Sequence, residues 1–137
     1  MMRRATGILI GTLLLAACAP EASNAERIAV TLTNDHITLD RAEVAAGTVL
    51  FEVENQSDDL VHEIEIFAKA TDGAVLPVSN SVADTTGLEL IDEVEDVLPG
   101  SRASLTVDLA PGTYLAICNL PLHYGSGMWA YLTVIEG

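Results

Sequence analysis

Positive charge is scarce in this sequence: six Lys and Arg stand against 20 Asp and Glu, for a formal net charge of −14. Nucleic acid and anionic lipid surfaces are therefore poor electrostatic partners, whereas a basic protein would be steered toward the chain at low salt. Acidity of this kind also serves solubility, and composition does not separate the two roles. Aromatic side chains make up only 4% of the chain, and most fall late, at Tyr114, Tyr124, Trp129 and Tyr131. Long hydrophobic runs are missing as well, since the stretch from Ala5 to Ala17 is too short to span a bilayer. What remains is half apolar over 137 residues. That fits one ordered globular domain and argues against a disordered chain.

The N-terminus reads as an address and not as part of the fold. Met1 to Arg4 form a basic head, the apolar stretch follows, and Leu15-Ala16-Ala17-Cys18 closes it with small residues before a cysteine. This tetrapeptide resembles a bacterial lipobox, which implies cleavage before Cys18 and lipidation of its thiol. The expected organisation is a signal peptide over 1–17, a lipidated tether over 18–26 and a folded domain over 27–137. Arg3-Arg4 lacks the surroundings of a twin-arginine signal, so the export route stays open. Ala19 does not resemble an inner-membrane retention signal, which points to the outer membrane where the cell has one.

Cysteine is the other scarcity. With Cys18 lipidated, Cys118 is the only thiol left, and no intramolecular disulfide is possible. An unpaired thiol in an oxidising compartment is exposed to oxidation unless something holds it. Metal ligation would hold it, and a buried inert cysteine is the plainer alternative. Loss of Arg3 and Arg4 with the leader leaves four basic residues against 20 acids, a formal charge of −16.

Beyond the tether the chain reads as short strands. Ile28, Val30 and Leu32 alternate with polar or small neighbours, and so do Val49, Phe51 and Val53, and later Leu105, Val107 and Leu109. Asn34-Asp35, Ala46-Gly47, Asn55 to Asp59, Leu98-Pro99-Gly100 and Ala110-Pro111-Gly112 break them. His62, Ile64 and Ile66 share one strand face, and Tyr114, Ala116 and Cys118 share another. Between 68 and 97 the pattern weakens, with Leu88 to Ile91 and Glu93 to Val97 as short strands or a helical turn near Leu90. Gly and Pro turns with no helical period predict an all-β, Greek-key antiparallel β-sandwich.

The chemistry concentrates in Cys118-Asn119-Leu120-Pro121-Leu122-His123, running on through Gly127-Met128. A thiol, an imidazole and a thioether spaced C-x4-H-x4-M make a soft donor set, one that suits a copper site of two histidines and a cysteine with a weak axial methionine. The missing histidine is expected at His62, whose inward position on its own reads as a core histidine bonded to backbone. His36, in a turn, reads as a surface residue.

On these residues the chain resembles the cupredoxins, or blue copper proteins, from about Ile28 to Val134. The resemblance rests on Gly47 to Phe51 leading to Asn55 and His62, on Leu98-Pro99-Gly100, on Pro111 to Tyr114 before Cys118, and on the ligand loop with its aromatic strand. The loop is similar to those of the sulfocyanin and rusticyanin type, with azurin-like spacing. The resemblance implies one type 1 copper ion held by His62, Cys118 and His123 with Met128 axial, and an electron carrier rather than an enzyme. It also places Val61, Glu63, Asn119 and Pro121 around the ligands. With Leu120 and Leu122 beside it, His123 is expected to emerge through an apolar electron-transfer patch. Two positions depart from many relatives: Glu63 replaces an Asn that braces the loop, and Leu122 replaces a Gly.

The implied partners are redox proteins, basic ones such as a c-type cytochrome or an oxidase, with a monomer touching the membrane only through its lipid. A zinc site fits poorly because Met is a weak zinc ligand. A copper enzyme lacks the extra histidines and second domain it would need, and a vestigial site is at odds with all four ligand types being present. The rival from another class is a copper carrier or storage protein using the same ligands.

Overall fold

The computed structural model describes residues 25–137; the leader, Cys18 and most of the tether lie outside the described residues. Eleven strands and one short helix follow in order: β1 (Glu26–Leu32), β2 (Ile37–Leu39), β3 (Glu43–Ala45), β4 (Gly47–Asn55), β5 (His62–Ala68), β6 (Val78–Ser79), β7 (Val82–Ala83), β8 (Glu89–Val97), β9 (Arg102–Leu109), β10 (Gly112–Ile117), α1 (His123–Ser126) and β11 (Trp129–Ile135). Two sheets carry the fold, one in the order β2-β1-β4-β9 and one in the order β3-β11-β10-β5-β8.

The alternation in the sequence becomes the inner faces of these sheets. Ile28, Val30 and Leu32 of β1, Val49, Phe51 and Val53 of β4, and Leu105, Val107 and Leu109 of β9 are buried from the first sheet. Ile64, Ile66, Tyr114, Ala116, Leu132 and Val134 meet them from the second. Removing these branched side chains from water is the main favourable contribution to folding. The sandwich is the expected one, with a mixed pairing pattern. β1 runs parallel to β4, and β11 parallel to β3, while the remaining ladders are antiparallel. The reason is that β2 stays with the first sheet and β3 crosses to the second, so β4 returns beside β1 by a crossover and not by a hairpin.

The weakly patterned segment resolves into a single strand and an excursion. β8 is one continuous nine-residue strand with no helical turn, at the edge of its sheet. Five of its nine residues are acidic, a composition that discourages edge-to-edge pairing with other chains. Residues 69–88 leave the sheet and fold over its outer surface. There Phe67, Leu115, Ile117, Ala83 and Tyr124 form a second, smaller core. β10 is accordingly buried on both faces, although alternation alone marks only Tyr114, Ala116 and Cys118 as inward.

One end of the sandwich gathers the chemistry. β4 ends there at Asn55, β5 begins there at His62, β8 ends opposite His62 at Val97, and β10 and β11 meet there across Ile117 and Trp129. Residues 56 apart in sequence are thus brought side by side by strand direction alone.

Candidate metal centre

A long-range strand pairing brings His62 and Cys118 together. β5 is antiparallel to β10, so the start of one lies against the end of the other. Both residues are fully buried. The first turn of α1 then carries His123 back over the pair, leaving that ring partly exposed. His62 Nδ1 and His123 Nδ1 stand 3.1 Å apart, Cys118 Sγ is 3.2 Å from His123 Nδ1 and 3.9 Å from His62 Nδ1. The imidazoles meet edge to face, with ring centroids 4.9 Å apart. A triangle of these dimensions is spanned by one ion making bonds of roughly 2 Å to each donor.

Met128, also fully buried, belongs to the same core as Cys118. The loop between the sulfurs closes on itself: Cys118 N donates to Met128 O at 3.1 Å, and Met128 N donates to His123 O at 3.2 Å. Gly127 makes this closure possible. Its φ of 122° suits glycine, and a Cβ there would come within 2.9 Å of the Asp35 carbonyl oxygen. The Asp35-His36 turn therefore lies directly against the loop bearing Met128. His36 itself is exposed, its Nδ1 2.8 Å from Asp35 Oδ1.

The donor set fits a cation. Burial depresses the pKa of His62, with the neighbouring His123 ring adding to the effect, and burial does the same at His123. Both rings consequently offer lone pairs at neutral pH. Burial pushes the Cys118 thiol up to about 11, against the backbone amide of Glu63, which points at the sulfur from 3.5 Å. A buried sulfur aimed at two imidazole nitrogens becomes a thiolate when a cation takes the place of its proton.

Around the triangle, the side chains take up definite work. Glu63 Oε1 accepts from Asn119 N at 3.0 Å, fastening the β5 end to the residue after Cys118. Asn119 turns its side chain to Ala83, whose amide donates to Oδ1 at 2.7 Å. Val61 is about one-third exposed at 36%, and Pro121 is exposed. Leu120 packs against the main core. Leu122 is 70% exposed and holds φ 75°, a left-handed conformation that glycine adopts far more readily. A bulky side chain there costs about 1–2 kcal/mol.

In the sequence Asn55 reads as a strand breaker and as a landmark of the resemblance before His62, with no role assigned to its side chain. It is fully buried; its Nδ2 donates to Leu60 O at 2.9 Å and Val97 O at 2.8 Å, and its Oδ1 accepts from Ser57 N at 2.9 Å. The loop into His62 is pinned by this one amide. The signal available in the sequence was a polar residue at an inward register position of β4, following Val49, Phe51 and Val53.

Glu65 lies on the outer side of β5, opposite Glu93 of β8. Its Oε2 is buried without a hydrogen-bond partner. Burial first, and then Glu63, Glu93 and Glu95, raise its pKa to about 7. A carboxyl raised in the fold adds stability below its unfolded value near 4.5, and that stability is lost as pH rises through 7. Glu65→Gln is therefore expected to stabilise the protein by about 1 kcal/mol above pH 7, after allowance for solvent screening, and by nothing at pH 4. Thermal melts of both proteins across pH 4–8 check this; an equal gain at both ends would exclude the ionisation.

A family model described as a cupredoxin-like domain matches residues 6–129. Among solved structures, the chain is similar to dithionite-reduced auracyanin from the photosynthetic bacterium Roseiflexus castenholzii, at 24% identity over 85% of this chain and 100% of that one, with a TM-score of 0.57. It is also similar to auracyanin A, a blue copper protein of Chloroflexus aurantiacus, at 23% identity over 80% and 99% of the two chains and a TM-score of 0.55. An azurin of Methylomonas sp. strain J aligns at 15% identity over 81% and 98%, with a TM-score of 0.57. At these identities the likeness is one of fold. No curated protein matches the sequence.

Proposed function

The chain belongs to the cupredoxin-like domain family, and from that premise we propose that it is a mononuclear blue copper protein carrying electrons outside the cytoplasm. The observation that carries this reading is the convergence of His62 Nδ1, His123 Nδ1 and Cys118 Sγ at the buried end of the sandwich. A copper ion bound there supplies a one-electron couple. Imidazole, thiolate and thioether are the donors that suit it.

The chain's own contribution is to hold those donors still. Cys118 and Met128 are tied across the loop by backbone hydrogen bonds, His62 is fixed by the Asn55-pinned approach, and Glu63 locks one side of the site to the other. Donors that stay in place through both oxidation states keep the reorganisation small when an electron moves. A copper carrier or storage protein is the other reading. It calls for ligands that open readily, whereas His62, Cys118 and Met128 are all closed to solvent and only His123 reaches it.

Leu122 indicates where electrons leave. Its backbone conformation is unfavourable and its side chain lies mostly in water, so neither favours its presence for stability. Strain held at an exposed position beside a ligand points to function. We read it as the apolar contact through which a redox partner meets the His123 edge, with the net acidity of the chain favouring a basic protein such as a c-type cytochrome or an oxidase. Leu122→Gly removes both the strain and the contact. It is expected to keep or raise thermal stability and to leave the visible spectrum unchanged while slowing electron exchange with a basic cytochrome about tenfold, the equivalent of one lost contact of about 1.4 kcal/mol. An unchanged exchange rate, measured by stopped flow, would remove Leu122 from the docking surface.

The extracytoplasmic, lipid-anchored location rests on the Leu15 to Cys18 motif. Cys18→Ser is expected to abolish incorporation of labelled fatty acid and release the protein from membranes. Continued labelling of the variant would place the lipid elsewhere.

A further inference from the structure

The excursion over residues 69–88 has a use beyond covering the second small core. Its tip is a two-residue hairpin, β6 to β7, turning through Asn80 and Ser81 with φ of 51° and 70°. Positive φ at both central residues is the signature of the tight turn that matches strand twist. Two-residue strands are far too short to hold such a hairpin alone. Its partners lie in the ligand loop.

Asn119, next to Cys118, meets Ala83 twice: Oδ1 accepts from Ala83 N at 2.7 Å and Nδ2 donates to Ala83 O at 3.3 Å. Leu122, next to His123, donates its backbone N–H to Ser81 O at 2.8 Å. Tyr124, on the other side of His123, accepts from Leu76 N through its hydroxyl at 2.8 Å. Tyr131 donates to Ala74 O farther along the excursion. The residue following Cys118 and those flanking His123 are thus each tied to one separate piece of chain. Leu122, the strained position, is among those held.

We propose that the β6–β7 hairpin, joined to Asn119 and Leu122, is a positioning element of the metal centre that keeps the Cys118–His123 loop in binding geometry before an ion arrives. This rests on the copper reading above. A ligand loop fixed in advance loses little freedom on binding, and loss of that fixing appears as faster release of the ion. Residues that orient metal ligands typically contribute 10–100-fold to affinity.

The experiment compares the full chain with Asn119→Ala, Asn119→Asp and Tyr131→Phe. Amide hydrogen exchange is followed in the metal-free proteins, and copper release to a chelator in the copper(II)-loaded ones. Asn119→Ala is expected to speed exchange at Ala83 and Asp84 at least tenfold, with β4 and β9 unchanged, and to speed copper release about tenfold. Asn119→Asp, which keeps an oxygen facing Ala83 N, should fall between it and the parent. Tyr131→Phe loosens the far end of the excursion and should leave copper release unchanged. Faster exchange with parental copper release would reduce the hairpin to a cover and overturn the proposal, as would equal acceleration of release by Tyr131→Phe. Unchanged exchange at Ala83 would show that Asn119 does not hold the hairpin. Failure of the parent to take up copper would sink the copper reading, and the proposal with it, whatever the metal-free exchange shows.

Discussion

Replacing Cys118 by serine is expected to abolish the intense sulfur-to-copper absorption and to weaken copper binding by more than the roughly 10–100-fold that changes around a site produce. The sulfur is the only soft anionic donor among the described candidates, and it sits within 3.9 Å of both imidazole nitrogens. A serine hydroxyl has nearly the same shape but is neither soft nor readily deprotonated, so the size of the loss reports ligation and not packing. The metal-free fold should hardly notice, since the change is isosteric at a buried position. Alkylation of the metal-free parent should be slow at neutral pH, because burial raises the thiol to about 11 and little thiolate is present. Optical titration of both proteins with copper(II), alongside denaturant unfolding of the metal-free forms, checks the prediction. A serine variant that retained the band would show that the sulfur is not a ligand.

The largest loss of stability is expected at Asn55. Asn55→Ala removes two donated bonds and two accepted bonds at a fully buried site, leaving Val97 O and Ser57 N without these partners. The Ser57 hydroxyl can donate to Leu60 O instead, so three bonds at about 1 kcal/mol each, with a further penalty for the stranded groups, put the cost at about 3–4 kcal/mol. Metal binding suffers with it. Val97 pairs with His62 across β5 and β8, and the loop from Ser57 to Leu60 delivers His62 to its place. A loosened approach should weaken copper binding about tenfold, as for other groups that orient ligands. Denaturant unfolding measures the first effect and competition with a chelator the second. A stability loss below 1 kcal/mol would mean that water replaces the amide and that the pin is dispensable.

Much of this architecture is legible in the sequence, for a physical reason. β1, β4 and β9 each bury one face and wet the other, so period-two alternation survives intact in Ile28, Val30, Leu32 and their counterparts. The candidate ligands are legible because Cys118, His123 and Met128 lie on one loop, and because His62 falls at an inward register position. β10 is only half legible. Leu115 and Ile117 face outward by alternation, yet the 69–88 excursion covers them, and nothing local to β10 announces a cover supplied by residues so far upstream. β8 is hard to read because its acids sit on an edge strand, where charge replaces the apolar alternation that marks a strand elsewhere.

Glu63 and Leu122, the two departures that the resemblance implies, are informative in different ways. Glu63 makes a bracing contact, its carboxyl oxygen accepting from Asn119 N. Leu122 holds a left-handed backbone of the kind glycine adopts readily and carries an exposed apolar side chain. The approach of Asp35 to Gly127 had no sequence signal, because it depends on how the β1–β2 turn packs against a distant loop.

The account turns on whether the two imidazoles and the thiol close around copper and pass single electrons. Optical and paramagnetic-resonance spectra of the copper-loaded full chain, recorded through a redox titration, address this most directly. An intense sulfur-to-copper band that bleaches on reduction and returns fully on oxidation, at one copper per chain, is the expected result. A colourless protein that holds only copper(I), or gives it up on oxidation, would contradict electron transfer and favour a copper carrier.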